Sequence, residues 1–288
     1  MEQFRKYLGT LISTSLPHED CGMTAGEILA MVKSRKALLA RYTSDSKIFS
    51  EQTERPTTGW WHCVRTEPID IAILTAKQRY RVRRGLERND IFRADAEYIM
   101  SNADALYHSY EKSIEDYPEV YRHNPQPKEQ FIQSLIQFIE PGRSDLWICR
   151  DKESGNIVGY GHTPYIGKVV FLSMVKLDPA YFKNEVNAAL IYEVCRYYLN
   201  ELSFDYICDG ERNIRHQTSY QDFLVTVLGF RKAPCRLNIV YHPLFKVVVK
   251  TLYPFRRMLK PFCSNKLIYN AYCLLFQEQC ARECDNNY

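Results

Sequence analysis

The order of apolar segments between residues 90 and 241 constrains the fold most strongly. Short apolar runs typical of strands alternate there with longer stretches in which apolar residues recur every three or four positions, as in amphipathic helices. The predicted succession is a strand at 91–99, helices at 103–117 and 127–139, strands at 146–150, 157–163 and 169–177, a helix at 185–199, a strand at 204–208, a helix at 219–228 and a strand at 236–241. This succession predicts an α+β fold with a mixed β-sheet flanked by helices.

The segments on either side of this core differ from it in composition. Residues 1–58 are predicted to form a polar, helical N-terminal extension, in which Thr24–Glu27 has the spacing of a helix capping box. Residues 59–241 are predicted to form one domain with its core at about 90–241, and residues 242–288 a basic helical C-terminal extension.

Positive charge is concentrated near the C-terminus. The net charge is only +4, from 38 Lys and Arg against 34 Asp and Glu, but residues 231–277 contain nine basic residues and no acidic one. Residues 243–260 combine this charge with many apolar side chains. Such a helix either lies peripherally on an anionic membrane surface or packs its apolar face on the protein and shows its charges to water. Both interpretations stay open.

Cysteine usage and the N-terminus favour a reducing compartment. The ten cysteines are scattered without a Cys-x-x-Cys pair, so we expect small buried apolar side chains and no bound metal. The start MEQFRKYLGT lacks the apolar stretch of a signal peptide, and no window of about 18 uncharged apolar residues occurs. We therefore expect a cytoplasmic protein, with the inner membrane surface as a further location.

One segment resembles a family. Residues 177–190, LDPAYFKNEVNAAL, match the frame Leu-Asp-Pro-x-Tyr-Arg-Gly-x-Gly-x-Gly-x-x-Leu of the GNAT acyl-CoA N-acyltransferases, and Leu228-Gly229-Phe230 matches that superfamily's later Leu-Gly-Phe. The resemblance covers about residues 90–241. It implies a GNAT-like fold and an acyl-CoA donor such as acetyl-CoA. By that resemblance the donor's pantetheine arm lies on the backbone of Met174, Val175 and Lys176. Its phosphates meet Lys183, Asn184 and Asn187. Thr218 either replaces an Asn that contacts the cofactor or serves only as a helix cap.

The departures from the family pattern concern the donor site. The three loop glycines are replaced by Lys183, Glu185 and Asn187, although glycine allows the backbone to approach phosphate closely. A carboxylate at Glu185 would repel a pyrophosphate. Val225 stands where ordinary members have a Tyr general acid. Either the site works differently or the donor is not CoA.

Candidate catalytic residues follow the strand at 204–208. Transfer to an amine requires a base, and Asp209 or Glu211 is placed to act as one, with His216 and Tyr220 as neighbours for proton relay or acid catalysis. The alternative is a polar turn in which an Arg pairs with a carboxylate.

A second resemblance concerns the basic segment 77–88. Its first part, Lys77–Gly85, resembles the Lys-x-Arg-x-x-Ile-Arg-Lys-Gly stretch of Fem-type transferases, some of which use an aminoacyl-tRNA. The segment either holds phosphates or forms a solvated helix face.

Three functions are compatible with these features. The first is an N-acyltransferase that moves an acyl group from acyl-CoA to a small amine acceptor, such as an amino sugar or a lipid-linked precursor. The second is a Fem-like transferase that uses aminoacyl-tRNA. The third is an inactive GNAT-like binding or scaffold protein.

Overall fold

A computed structural model describes residues 3–50, 59–115, 125–139, 142–214 and 219–285. The chain divides into two compact units. Unit 1 comprises residues 1–63, 211–217 and 232–288, and unit 2 comprises residues 64–210 and 218–231. Both units are discontinuous in sequence, whereas the sequence was divided above into three consecutive segments.

The elements follow one another in this order: β1 (Phe4–Tyr7), β2 (Thr10–Ser13), α1 (Ala25–Ser34), β3 (Leu39–Ser44), β4 (Trp61–Arg65), α2 (Ala76–Arg88), β5 (Asn89–Ala94), α3 (Ala96–Ser101), α4 (Ala103–Glu115), α5 (Lys128–Phe138), β6 (Ser144–Asp151), β7 (Ile157–Ile166), β8 (Val169–Phe171), β9 (Met174–Leu177), α6 (Val186–Cys195), β10 (Tyr206–Glu211), α7 (Tyr220–Leu228), β11 (Arg231–Pro234), β12 (Arg236–Tyr241), α8 (Pro243–Leu252), α9 (Arg256–Leu259) and α10 (Lys266–Asp285). Short 3₁₀ turns occupy Pro179–Asn184, Tyr253–Phe255 and Lys260–Phe262.

Unit 1 is built on a four-stranded sheet of order β1-β2-β3-β12. Helix α1 begins at the predicted capping box, in which Thr24 and Glu27 bond reciprocally, and buries Ile28 and Val32 against the sheet residues Phe4 and Leu11. Strands β1 to β3 lie in the segment predicted to be helical. They are four to six residues long and carry polar side chains, so their pairing depends on distant partners.

The C-terminal helices α8 to α10 belong to the same unit. Val249 of α8 and Leu275 of α10 are buried with Leu39 and Tyr241 of the sheet. A second cluster joins Trp60 and Leu237 to three cysteines, Cys235, Cys280 and Cys284. Every cysteine in the chain is free, as expected, and all except the half-buried Cys263 are buried.

The mixed sheet predicted from the sequence, flanked by helices, lies mostly in unit 2. The strands that belong mainly to this unit follow the order β10-β8-β7-β6-β5, and β9 also pairs with β7. Along β7 the side chains alternate between two layers. Tyr160 packs with Leu106 of α4 and Phe131 of α5, whereas Gly161 lies against Leu190 of α6. The α+β fold class is thus confirmed.

The first predicted strand is shorter than expected. Residues 91–99 were predicted as one strand, but β5 ends at Ala94 and α3 begins at Ala96. The Asp95 side chain accepts a hydrogen bond from the Tyr98 backbone N–H at 2.8 Å and so caps α3. The apolar run therefore changes from strand to helix at this cap.

The predicted strand 169–177 is divided into β8 and β9, which have different partners. Strand β10 pairs in parallel with β8, from Tyr206 opposite Val169 to Cys208 opposite Phe171. The Leu172 N–H then donates to the Cys208 carbonyl at 2.9 Å. Strand β9 pairs with β7 alone. In the part of the chain that the structure describes, β9 and β10 share no pairing, so the sheet opens between them.

The pairing of β9 with β7 depends on a glycine. A Cβ at Gly159 would lie 2.2 Å from the Leu177 side chain and 2.6 Å from the Lys176 carbonyl oxygen, whereas a Cβ at Gly161 would lie 3.2 Å from the end of the Leu190 side chain. We expect Gly159→Ala to lower the free energy of unfolding by about 2–3 kcal/mol and Gly161→Ala by less than about 1 kcal/mol. Urea denaturation of both variants measures the difference, and equal losses would contradict this account of the strand pair.

Candidate functional site

The candidate site lies in unit 2, where β10 separates from β9. Met174, Val175 and Lys176, the residues predicted to hold the pantetheine arm, form most of β9 and are half-buried. Their pairing with His162, Gly161 and Tyr160 uses the edge of β9 that faces β7. The other edge has no strand partner among the described residues. Backbone groups on such an edge can bind an extended ligand, as they would a further strand.

Asp209 is the titratable residue at this opening. It directly follows Cys208, the last residue of β10 that pairs with β8. Burial raises the pKa of the Asp209 carboxyl to about 7, while a hydrogen bond from the Gln221 side chain of α7 acts in the opposite direction. A carboxyl group with this pKa exchanges protons near neutral pH, as a general base must. The local chemistry thus fits one of the two predicted bases.

Glu211, the other predicted base, is held within unit 1. Its carboxylate accepts a hydrogen bond from the Trp60 indole N–H at 3.0 Å and lies 3.6 Å from the Arg41 guanidinium. Glu211 is the last residue of strand β10 and pairs with the distant Arg41, so this pair is not that of the local polar turn that was the alternative in the sequence. Arg212 instead donates to the Gly59 carbonyl at 2.6 Å.

The remaining predicted residues near this strand are only partly described. Tyr220 is the first residue of α7, and its ring stacks on Phe223 with centroids 6.1 Å apart. His216 and Thr218 lie outside the described residues. Their roles stay predictions.

Glu185, the residue before α6, adopts a backbone conformation that favours glycine. It caps α6 in the left-handed region, with φ 55° and ψ 33°. Its N–H donates to the Phe182 carbonyl at 3.0 Å, and its own carbonyl accepts from the N–H groups of Ala188 and Ala189. A glycine adopts this conformation without the penalty that a Cβ imposes. The family frame has glycine at this position, and the implied contact of the loop with phosphate stays a prediction.

The Glu185 carboxylate is neutralised by the basic helix α2. Arg81 directs two guanidinium N–H groups at the same oxygen, with Nε at 2.8 Å and Nη2 at 2.7 Å. The guanidinium also lies over the Phe223 ring, 5.2 Å from its centroid. The carboxylate expected to repel phosphate is therefore paired. The pair was not foreseen because its members are 104 residues apart in sequence.

Helix α2 also holds the backbone of the loop. Arg84 Nε donates to the Lys183 carbonyl at 3.0 Å, and the Asn89 amide donates to the Asn184 carbonyl at 3.2 Å. A Cβ at Gly85 would lie 2.5 Å from the Glu185 carbonyl oxygen, so the helix packs directly on the loop.

The side chains predicted to meet phosphates have different surroundings. The Asn184 amide donates to Asp151 at 3.2 Å and is thus engaged within the protein. Lys183 is exposed and Asn187 is half-buried. On α2, Lys77 and Arg83 are exposed as well. The basic segment is therefore a helix that uses Arg81 and Arg84 for packing and shows other cations to solvent.

Two further properties concern the described residues as a whole. They contain no group of three or more His, Cys, Asp or Glu side chains arranged to hold a metal ion. None of their helices is both long enough and apolar enough to cross a membrane.

Comparisons with known structures support the fold. L-PGS from Bacillus licheniformis superposes with a TM-score of 0.51 at 10% identity, covering 88% of this chain and 84% of that one. The C-terminal domain of a candidate lysylphosphatidylglycerol synthetase from Agrobacterium fabrum gives 0.50 at 8% identity, covering 86% and 84%. FemX gives 0.48 at 11% identity, covering 85% of each chain. GNAT acetyltransferases are further structural neighbours.

The likeness to the first two structures shows a fold that this chain shares with L-PGS and with the lysylphosphatidylglycerol synthetase domain. Fem-type and GNAT proteins are among the structural neighbours, as the resemblances in the sequence predicted. Identities near 10% leave substrate and donor undefined. A scan of protein-family models and a search of curated protein sequences found no match.

The raised pKa of Asp209 has a consequence for stability. An unfolded Asp ionises near pH 4, so between about pH 4 and pH 7 the folded state retains a proton that the unfolded state has lost. The free energy of unfolding of the wild type therefore includes a contribution from this proton that is fully present below pH 4 and is lost as the pH rises through 7. Asp209→Asn has no carboxyl to ionise, so its free energy of unfolding does not fall in this way. We expect the difference in free energy of unfolding, Asp209→Asn minus wild type, to increase by on the order of 2–4 kcal/mol from pH 4 to pH 8.

Urea denaturation at several pH values measures this difference. Asp205→Asn is the matched control, because Asp205 is exposed at the approach to the same strand. A pH-independent difference between Asp209→Asn and wild type would contradict the assigned environment.

Proposed function

We propose that the chain is an N-acyltransferase that moves an acyl group from a phosphate-bearing carrier to a primary amine. The observation that carries this proposal is Asp209, whose carboxyl has a pKa of about 7 at the point where β10 parts from β8. The GNAT-like fold supports the reaction class, since the opening between two such strands is where the resemblance puts donor and acceptor.

Asp209 supplies the base that the reaction needs. A primary amine is mainly an ammonium ion at neutral pH and is not nucleophilic in that form. The Asp209 carboxylate accepts one ammonium proton, directly or through a water molecule. The amine nitrogen then attacks the acyl carbonyl carbon, a C–N bond forms, and the bond from that carbon to the carrier's sulfur or oxygen breaks. The nitrogen loses its remaining extra proton, and the leaving group takes up a proton.

Other predicted residues keep supporting roles in this proposal. Tyr220 and His216 are proposed to relay the proton, because Val225 cannot replace the family's general acid. Glu211 is assigned a positioning role, because its carboxylate is held by Trp60 and Arg41. The acceptor class that we propose is the amine of an amino sugar or of a lipid-linked precursor.

The first donor candidate is acyl-CoA. The edge of β9 that faces away from β7 has no strand partner among the described residues, and we propose that it takes an extended pantetheine arm. Lys183 and Asn187 lie at the N-terminal end of α6, where the helix dipole favours anions.

Aminoacyl-tRNA is the second donor candidate, and the ion pair between Arg81 and Glu185 favours it. A carboxylate from the chain occupies the position at which the family's glycine loop meets pyrophosphate. The exposed cations Lys77, Arg83 and Lys183 remain available for a nucleic-acid backbone.

The role of Asp209 is tested by the pH dependence of acyl transfer. With a panel of primary amines and either donor, we expect kcat/KM of the wild type to rise with pH until about 7. Asp209→Asn should lower kcat by about 10²- to 10⁴-fold and remove that ionisation from the profile. The control Asp205→Asn should leave kcat and the pH profile of kcat/KM unchanged. A variant Asp209→Asn with wild-type kcat would refute the assignment.

The two donors are separated by binding measurements. Acetyl-CoA at about 100 times its Kd would stabilise the fold by roughly 2.7 kcal/mol and raise the melting temperature by several degrees.

If tRNA is the donor carrier, the double variant Lys77→Gln/Arg83→Gln should weaken tRNA binding and reduce the slope of log K against log salt by about 1.5 to 2. Arg5→Gln/Lys33→Gln, with the same change of net charge at exposed sites in unit 1, is the control. If neither donor binds, the remaining hypothesis is that the chain is an inactive scaffold protein.

A further inference from the structure

Exposed apolar side chains are concentrated in one region of unit 1. Among the large apolar residues that remain exposed, eight lie between residues 244 and 267, and Leu244 and Met258 are 76% and 68% exposed. We call this region the α8–α9 face. Its members are Leu244, Val247, Val248, Leu252, Phe255, Met258, Phe262 and Leu267.

The backbone of this region is helical with one interruption. A 3₁₀ turn at Tyr253–Phe255 joins α8 to α9, and Phe255 leaves right-handed helical geometry, with φ −90° and ψ 3°. One side of the helix packs inward through Val249, which is buried with Leu39, Tyr241 and Leu275. The inward side therefore has a complete set of partners within the unit.

The α8–α9 face points away from that packed side. At about 100° per residue, Val247 projects roughly 160° from Val249 in α8. Leu244 and Val248 form the adjacent row, because they are four residues apart in the same helix. Phe255 and Met258, which follow in the 3₁₀ turn and in α9, are exposed as well. A helix packed inside a protein covers such positions, whereas here they are exposed.

Basic side chains line the same helix, and acidic ones do not. Residues 243–267 contain six Lys and Arg and no Asp or Glu. Arg256 is engaged, with Nε donating to Gln279 at 3.0 Å. The other five are exposed: Lys246, Lys250, Arg257, Lys260 and Lys266. Lys246 and Lys250 share one flank of α8 by their spacing, next to the apolar rows, and Arg257 follows in α9.

We propose that the α8–α9 face binds the surface of a membrane that contains anionic lipid. The apolar side chains enter the boundary between headgroups and acyl chains, and the basic flank meets lipid phosphates. The long Lys and Arg side chains reach that level while the helix lies flat.

Charge complementarity distinguishes the membrane from a second copy of the chain. A symmetric dimer through this face would bring two sets of five exposed cations together, and residues 231–277 of each copy offer no carboxylate to pair with them. An anionic lipid surface supplies the opposite charge over the whole length of the helix. The proposal does not depend on which reaction the chain catalyses.

Vesicle sedimentation of the full chain tests the proposal. Vesicles of phosphatidylcholine alone are compared with vesicles containing about 30% phosphatidylglycerol. We expect binding to the anionic vesicles that weakens with salt, and little binding to the neutral ones. Because each near-surface cation contributes about fivefold, Lys246→Gln/Lys250→Gln/Arg257→Gln should weaken binding on the order of a hundredfold.

Two more variants separate the contributions. Arg5→Gln/Lys33→Gln/Lys168→Gln removes the same charge from exposed sites outside the α8–α9 face and should bind within about twofold of wild type. Val247→Gln/Met258→Gln, at two exposed positions, should keep wild-type stability in urea and lose most vesicle binding.

Three results would overturn the proposal. The first is a wild-type chain that does not sediment with anionic vesicles, or that binds neutral vesicles equally well. The second is an equal loss of binding in the control triple variant. The third is a stable dimer in lipid-free buffer that Val247→Gln/Met258→Gln dissociates, because the occupant of the face would then be a second copy.

Discussion

The exchange of hydrogen-bond partners along the segment 169–177 determines the chemistry of unit 2. Because β8 pairs with β10 and β9 pairs with β7, the sheet opens at Leu172, and one edge of β9 has no strand partner among the described residues. The same separation places Asp209 beyond the last residue of β10 that pairs with β8, and desolvation raises the pKa of its carboxyl. The change of backbone partners thus accounts for both the free edge of β9 and the position of Asp209, the two features on which the proposed function rests.

The loop before α6 combines a backbone conformation that favours glycine with a charged side chain. Glu185 adopts the left-handed conformation, and its carboxylate is paired with the Arg81 guanidinium. The close contact of Gly85 with the loop carbonyl ties this arrangement to helix α2. The conformation and the charge of the loop thus depend on two elements that are 104 residues apart in sequence.

Local sequence patterns predicted those helices and strands that are determined by the periodicity, capping and composition of their own residues. The capping box at Thr24, the basic helix α2 and the strand and helix order of residues 90–241 follow from periodicity and composition. Strands β1 to β3 were missed, because short polar strands are defined by partners far along the chain. Asp209 was identified as a candidate from its position after a strand. The choice of Asp209 over Glu211 as the proposed base required the burial and the side-chain partners of both residues, which no local sequence pattern contains.

The pairing of β3 with β12 has a consequence for how the chain is made. Arg236 lies opposite Ser44 and Tyr241 opposite Leu39, so the sheet of unit 1 joins residues from the two ends of the sequence. Residues 64–210, most of unit 2, lie between them. During synthesis the first three strands leave the ribosome long before β12 exists, and their outer edge stays without its final neighbour in that interval. Unit 1 therefore completes its sheet only after most of unit 2 has emerged.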